Sequence, residues 1–157
     1  MNITVQENVY YGSHERHILD LYLPQTPKTD CGLILFIHGG GWTSCDKTAH
    51  TADCKYWSEK GYICATMNYR YVDSQLTVFD ELDDVTAALE KIKSICNERG
   101  RKLKRTLLSG GSAGAHLSLM CLHPCRRGSG YTCGGFLPLP AHPLSQGRFS
   151  FGHQRRI

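Results

Sequence analysis

Long hydrophobic runs are missing from this sequence. No stretch of its 157 residues approaches the roughly 18 consecutive apolar residues that a membrane-spanning helix requires. The first residues also lack the basic start and the apolar run of a secretory signal peptide. Hydrophobic residues make up 41% of the chain and charged residues 20%, which is the usual balance of a globular domain. We therefore expect a cytoplasmic protein with no membrane partner.

Acidic residues are missing from the C-terminal part of the chain. Residues 121–157 contain five arginines and no Asp or Glu, whereas all 14 acidic residues lie at or before Glu98. A basic segment of this kind can bind RNA or anionic lipid, but no aromatic–basic motif accompanies the charge. Gly and Pro make up 10 of these 37 residues, and the hydrophobic periodicity is lost. We expect a partial domain at 1–121, then an unrelated, disordered tail at 122–157 that binds no nucleic acid.

The eight cysteines do not suggest a disulfide framework. Most lie singly within apolar or helical segments, as Cys64 and Cys96 do. A cysteine in such a position is a small buried hydrophobic residue. Because no secretory signal accompanies them, we expect reduced thiols.

Strand and helix patterns alternate along the first 120 residues. The predicted elements are strands at 3–11, 17–23 and 33–37, a helix at 47–60, a strand at 62–67, a helix at 80–99, a strand at 105–108 and a helix at 113–121. Asp80 and Glu81 suit the positive N-terminal end of the second helix. The first two strands are expected to pair antiparallel. The later apolar strands predict a mostly parallel sheet with helices on both faces, which is the α/β class.

A serine motif follows the last predicted strand. Gly110-Gly-Ser-Ala-Gly114 fits the pattern G-x-S-x-G and lies directly before a predicted helix. A serine on a sharp strand-to-helix turn takes a strained backbone, and small neighbours let the turn close. The helix N-terminus then directs free N–H groups towards a developing oxyanion. The motif makes Ser112 a candidate nucleophile, although a lone match also fits a glycine-rich turn with a capping serine.

A glycine motif follows an earlier buried strand. In His38-Gly-Gly-Gly-Trp42, three consecutive glycines cost conformational entropy, so a bare backbone is needed here. An oxyanion hole has this need, because its N–H groups must reach the substrate oxygen. A flexible loop is the simpler alternative. A phosphate-binding turn is disfavoured, because no Lys-Ser/Thr follows and the G-x-G-x-x-G spacing is absent. Two such motifs, each after its own strand, favour a hydrolase.

Four segments together resemble the bacterial carboxylesterase branch of the α/β-hydrolases, which includes hormone-sensitive-lipase-like and feruloyl-esterase-like enzymes. They are Leu19-Asp-Leu-Tyr-Leu-Pro24, His38-Gly-Gly-Gly-Trp42, Asn68-Tyr-Arg70 and Gly110-Gly-Ser-Ala-Gly114. The resemblance covers about residues 3–121 and is specific to the family rather than to a substrate. It departs from the family pattern at Cys45, where relatives often have glycine, and at Tyr71, where leucine is usual.

The resemblance implies a fold, an activity and a set of site residues. The implied fold is the N-terminal half of an α/β-hydrolase sheet. The implied activity is hydrolysis of a small-molecule carboxylic ester through an acyl-enzyme on Ser112, with Gly40, Gly41 and Ala113 forming the oxyanion hole. No metal ion and no organic cofactor are implied. An amidase or peptidase, such as a kynurenine-formamidase-like enzyme, shares both motifs and stays open as an alternative.

The catalytic partners of the serine are missing from the sequence. A serine hydroxyl needs a base and an acid that orients the base, and in this fold both follow the nucleophile. No Asp or Glu follows Ser112. His116 lies one helical turn further along and is expected to be structural. The other histidines lie in the tail, where no strand positions them: His123, His142 and His153.

We therefore interpret the chain as a truncated or frame-shifted product of a longer esterase gene, inactive as it stands. DNA after the Met120 codon should then encode further strands, an Asp and a His in another frame. The alternative from another class is a non-catalytic hydrolase fold that serves as a binding partner. The strand at 105–108 lacks the neighbour that would follow residue 121, and its unpaired edge predicts an oligomer or aggregate.

Overall fold

A five-stranded mixed sheet is the centre of the structure, a computed structural model that describes residues 3–26 and 32–122. In chain order the elements are β1 (Ile3–Tyr10), β2 (Ile18–Pro24), β3 (Gly32–Ile37), a 3-10 helix (Lys47–His50), α1 (Thr51–Glu59), β4 (Ile63–Met67), α2 (Val78–Glu98), β5 (Arg105–Gly110) and α3 (Ala113–Leu122). The predicted order of strands and helices is confirmed. The first predicted helix, at 47–60, differs only at its start, where Lys47–His50 form a 3-10 helix instead of an α-helix. Leu122, the first residue of the predicted tail, still belongs to α3, and residues 123–157 lie outside the described residues.

The strands lie in the order β1-β2-β4-β3-β5. β1 pairs antiparallel with β2, and β2 pairs antiparallel with β4. β3 lies between β4 and β5 and is parallel to both. An antiparallel pair followed by parallel strands is the predicted arrangement. Because the carboxyl ends of β3 and β5 meet at one edge of the sheet, the two motifs that follow them come together there.

Two apolar clusters cover the two faces of the sheet, and alternate residues of β3 contribute to each. Leu35 and Ile37 pack in the cluster that includes α2 and α3. Ile34 and Phe36 pack in the cluster that includes α1. A strand buried on both faces needs apolar residues at every position, which explains the continuous run of β3.

A bulge interrupts β1, and the sequence patterns did not predict it. The pairing with β2 shifts register between Gln6 and Val9. Asn8 lies in the bulge at a φ of 54°, a left-handed conformation that asparagine tolerates better than most residues. Its backbone N–H donates to Asp20 Oδ1 at 2.8 Å. The carboxylate of β2 therefore holds the irregular part of the neighbouring strand.

The acidic start of α2 differs from the sequence expectation at one residue. Asp80 forms a capping box with Thr77, as a first-turn acid should. Glu81, in contrast, is fully buried, and neither carboxylate oxygen has a hydrogen-bond partner among the described residues. Burial, and to a smaller extent the nearby charge of Asp84, raises the pKa of Glu81 from 4.5 to about 8. The protonated form is therefore the one that the fold accommodates.

We expect Glu81 to make the folded state less stable as the pH rises. The unfolded chain loses this proton near pH 4.5 and the folded chain near pH 8, so stability falls between these values. Glu81→Gln should remove that fall, with a difference on the order of a few kcal/mol at pH 8 and little difference at pH 5. Urea unfolding of both proteins at the two pH values measures it. Glu90→Gln, at an exposed position of the same helix, is the control and should leave the free energy of unfolding unchanged at both pH values. An equal change of this free energy with pH in wild type and in Glu81→Gln would contradict the assignment.

Candidate active site

Ser112 lies on the turn between β5 and α3. It has a φ of 52°, in the left-handed region, and its side chain is exposed. The next residue, Ala113, is buried and begins α3. A non-glycine residue in this conformation is strained and is held there by its surroundings. The strained turn that the serine motif predicts is therefore present.

The glycines around Ser112 allow two backbones to approach closely. A Cβ added at Gly110 would lie 2.5 Å from the carbonyl oxygen of Ile37, the last residue of β3. One added at Gly114 would overlap the same oxygen and lie 2.7 Å from that of His38. Real Cβ atoms do not come this close to backbone oxygens. Any larger residue at either position would push the serine turn away from the end of β3.

The glycine turn after β3 lies directly beside Ser112. A Cβ at Gly39 would be 2.8 Å from the carbonyl oxygen of Gly111 and 3.5 Å from Ser112 Cβ. Gly40 and Gly41 both have positive φ, 108° and 61°. The structure thus brings the two sequence motifs together at the carboxyl edge of the sheet. Bare N–H groups next to a serine are what an oxyanion hole requires.

Gly40 holds the following residues in a compact turn. Its carbonyl oxygen accepts hydrogen bonds from Thr43 N at 3.2 Å and from Ser44 Oγ at 2.7 Å. A Cβ at Gly40 would overlap the Ser44 carbonyl oxygen. Both the positive φ and the close contact therefore require glycine here.

His38 is a support of the glycine turn. The ring is fully buried and stacks on Tyr69, with 4.3 Å between ring centroids. Its Nδ1 lies 2.7 Å from the Gly39 carbonyl oxygen, and because a carbonyl only accepts, Nδ1 carries the proton. Burial lowers the pKa of His38, which keeps the ring neutral. The Tyr69 hydroxyl lies 2.9 Å from the His38 oxygen and 3.2 Å from that of Gly39.

His116 is the only histidine after Ser112 within the described part of the chain. It is exposed on the first turn of α3, and its amide donates to the Ser112 carbonyl oxygen at 3.0 Å. Its ring meets Trp42 edge-on at 5.5 Å. These contacts fit the structural role expected for it. The other histidines considered as bases lie outside the described residues: His123, His142 and His153.

A buried ion pair fixes the segment after the glycine turn. Lys47 Nζ contacts Asp20 Oδ2 at 2.7 Å, and both side chains are nearly inaccessible to solvent. The Lys47 amide donates to Asn68 Oδ1 at 2.6 Å, and Asn68 Nδ2 donates to Asp46 Oδ2 at 2.9 Å. These contacts join β2, the 3-10 helix and the end of β4. Two of the segments that carry the family resemblance, 19–24 and 68–70, thus meet here, a contact that sequence reasoning did not predict.

A second buried carboxylate ties the end of β4 to α2. Asp84 accepts hydrogen bonds from the Arg70 amide and guanidinium at 2.7 to 3.0 Å. His17 Nε2 lies 3.0 Å from Asp84 Oδ1. Since a carboxylate accepts, Nε2 carries the proton, and burial lowers the pKa of His17. The His17–Asp84 pair therefore supports the loops and does not serve a nucleophile.

Residues 3–26 and 32–122 contain no metal-binding cluster and no membrane-spanning helix. In these ranges no three His, Cys, Asp or Glu side chains are arranged to hold a metal ion. No helix there has the length and apolarity needed to cross a membrane. The five cysteines in these ranges are unbridged.

The fold and the site define a class of protein. A serine at positive φ between a parallel strand and a helix, beside a glycine turn that follows the neighbouring strand, is the arrangement of the α/β-hydrolases. The family model BD-FAE matches residues 19–123, which is more than half of the chain. The chain therefore belongs to the BD-FAE family, an esterase family of the α/β-hydrolases.

Several proteins of known name resemble the chain over part of their length. A probable isoprenylcysteine alpha-carbonyl methylesterase of Oryza sativa subsp. japonica is 30% identical over 75% of this chain and 28% of the relative. A kynurenine formamidase of Salmo salar is 27% identical over 73% of this chain and 37% of the relative. A crystal structure of esterase B from Lactobacillus rhamnosis with a tributyrin phosphonate has a TM-score of 0.67 at 27% identity, covering 76% and 40%. The chain spans well under half the length of these proteins.

Proposed function

We propose that the chain carries the nucleophile half of a carboxylic ester hydrolase. Ser112 is the proposed nucleophile, and the N–H groups of Gly40, Gly41 and Ala113 form the proposed oxyanion hole. The close approach of the glycine turn to the Ser112 turn carries the proposal, since a Cβ added at Gly39 would lie only 3.5 Å from Ser112 Cβ. Membership of an esterase family supports the same activity.

In the proposed reaction, Ser112 Oγ attacks the carbonyl carbon of a small-molecule ester. A histidine base takes the hydroxyl proton, and the carbonyl oxygen becomes an oxyanion that the hole stabilises. The C–O bond to the alcohol then breaks, and the base returns the proton to the leaving alkoxide. Water hydrolyses the acyl-enzyme in the second half of the cycle. The base and its acid belong to the part of the enzyme for which this chain has no counterpart among the described residues.

Amide hydrolysis is the second candidate, because a kynurenine formamidase is among the relatives. Both reactions pass through the same tetrahedral intermediate, and they differ in the group that leaves. The test uses a completed protein, in which residues 1–121 are fused to the C-terminal part of a member of this family. This completed protein should be tested on an aryl acetate and on an N-formyl aromatic amine at equal concentrations. A higher kcat/KM for the ester supports the proposal, and a higher value for the formamide supports the second candidate.

A non-catalytic hydrolase fold is the alternative from a different class. A fluorophosphonate probe distinguishes it, because the probe reacts only with a serine that its surroundings activate. We expect the completed protein to gain the mass of one phosphonyl group on the peptide that contains Ser112. The variant Ser112→Ala should gain none. Absence of labelling in the completed, folded protein would favour the non-catalytic alternative.

We expect the 157-residue chain to associate through β5. Among the described residues β5 pairs only with β3, so its other edge presents unpaired N–H and C=O groups. The opposite edge, β1, is interrupted by its bulge, and bulges discourage edge-to-edge pairing. Light scattering should therefore find oligomers or aggregates. Thr106→Lys in β5 should reduce the size of these oligomers, whereas Thr4→Lys in β1 should not. A stable wild-type monomer would contradict the prediction.

A further inference from the structure

The loop that carries the glycine motif, residues 38–45, has little regular structure of its own. Four of its residues have positive φ: Gly40, Gly41, Trp42 and Cys45. Its internal hydrogen bonds are the two that the Gly40 carbonyl accepts and the one that His38 Nδ1 donates to the Gly39 carbonyl oxygen. Strained residues persist only where neighbouring groups hold them. Contacts from outside the loop must therefore set the position of its N–H groups.

Arg16, on the connection between β1 and β2, contacts both ends of this loop. Its Nε donates to the Tyr69 carbonyl oxygen at 2.7 Å, which fixes the guanidinium beside the end of β4. Its Nη2 lies 3.5 Å from His38 Nε2 at the start of the loop and donates to the Cys45 carbonyl oxygen at 3.3 Å at the end. Because His38 carries its proton on Nδ1, its Nε2 is free to accept from Arg16.

The contact at the end of the loop involves both departures from the family pattern. The Arg16 guanidinium lies 3.7 Å from the centroid of the Tyr71 ring, at stacking distance. The Tyr71 hydroxyl donates to the Cys45 carbonyl oxygen, which also accepts from Arg16. Cys45 has a φ of 79°, a conformation in which glycine is favoured. Two donors on one carbonyl hold the cysteine in that conformation.

We propose that Arg16 is a positioning residue that clamps both ends of the 38–45 loop and so sets the N–H groups of the oxyanion hole beside Ser112. Tyr71 and Cys45 complete this clamp at the C-terminal end of the loop. The proposal rests on the oxyanion role proposed above. A planar guanidinium presents several donors in fixed directions, so it can bond three acceptors and stack on a ring at the same time. A lysine ammonium at the same place has no planar fork and cannot stack in this way.

The test measures loop order directly in the 157-residue chain. Two backbone bonds report on the loop: Thr43 N–H to the Gly40 oxygen and Val72 N–H to the Trp42 oxygen, at 3.2 and 3.0 Å. Arg16→Ala should increase hydrogen exchange at these two amides by about tenfold or more, since a bond to a charged group is lost. Arg16→Lys should not restore protection, and Tyr71→Phe should give a smaller increase. Amides of β3 and β4 should change little.

A second readout comes from the fluorescence of Trp42. The chain has two tryptophans, so Trp57→Phe leaves Trp42 as the only one. In that background Arg16→Ala should increase acrylamide quenching of Trp42. Ile92→Val, a small core change in α2, is the matched control, because it lowers overall stability and leaves the loop contacts in place. If Arg16→Ala does not fold, Arg16→Lys and Tyr71→Phe provide the same comparison.

The outcomes separate the clamp from the proposed chemistry. Faster loop exchange in Arg16→Ala than in Ile92→Val supports the clamp. Equal exchange in the two variants, or full protection in Arg16→Lys, overturns it. Neither measurement depends on turnover, so a wrong assignment of Ser112 would appear as absent fluorophosphonate labelling while the exchange results stay as expected.

Discussion

Replacing Ser112 by alanine in a protein that completes the sheet should abolish ester turnover, with a loss on the order of a millionfold in kcat. Only the nucleophile is removed, because the exposed side chain of Ser112 fills no space in the core. Alanine adopts the positive φ of this turn about as poorly as serine does, so folding should change little. Initial rates on a short-chain aryl ester measure the loss, and circular dichroism checks the fold.

Gly40→Ala is the graded companion to this experiment. The serine stays in place, but the new Cβ would overlap the Ser44 carbonyl oxygen and the loop would have to move. We expect a loss of about 100-fold in kcat, comparable to the loss of one oxyanion donor. Gly100→Ala is a matched control, because Gly100 also has positive φ but has open space around its Cα and lies between α2 and β5, outside both motifs. Near-normal rates for Ser112→Ala and Gly40→Ala would mean that the site is misassigned.

The parts of the fold that the sequence predicted are those in which local pattern and tertiary burial agree. The run at 33–37 is apolar at every position because β3 is buried on both faces, between β4 and β5. Apolar residues of α2, including Val85 and Ile92, recur at helical spacing because one stripe of the helix faces the core. The serine motif was equally informative, since two of its glycines, Gly110 and Gly114, are required by the close approach of Ile37.

The features that sequence reasoning missed depend on contacts between distant segments. Glu81 resembles an ordinary first-turn acid, and only the packing of α2 reveals that it is buried. Arg16 belongs to no motif, and its importance comes from acceptors that are 22 to 53 residues away in sequence. Cys45 was noted only as a departure from the family pattern. Its positive φ supplies a physical reason to expect glycine there, because glycine adopts this conformation without strain.

The 157-residue chain as it stands should be essentially inactive as an esterase. Members of a catalytic triad act as a unit, so a missing base costs about as much as a missing nucleophile, on the order of a millionfold. No acidic residue follows Ser112 in the sequence, and His116 lies on the same helix, edge-on to Trp42. The proposed oxyanion hole alone would give weak stabilisation of the transition state. Even that requires the serine turn to keep its strained shape, although β5 has no second neighbour among residues 3–26 and 32–122.

Supplying the part of an esterase that follows the matched segment should therefore raise activity by several orders of magnitude. Residues 1–121 fused to the C-terminal part of an esterase of this family should hydrolyse an activated acetate ester, and Ser112→Ala should remove the gain. The unfused chain should give rates close to those of buffer, measured at equal protein concentration and at pH 7.

Ordinary enzyme rates from the unfused chain, dependent on Ser112, would contradict this expectation. A base would then have to come from His116, from residues 122–157 or from a second copy of the chain. His116→Ala tests the first source, and removal of residues 122–157 tests the second. Mixing inactive Ser112→Ala and His116→Ala chains tests the third, since only a base donated between copies would restore turnover.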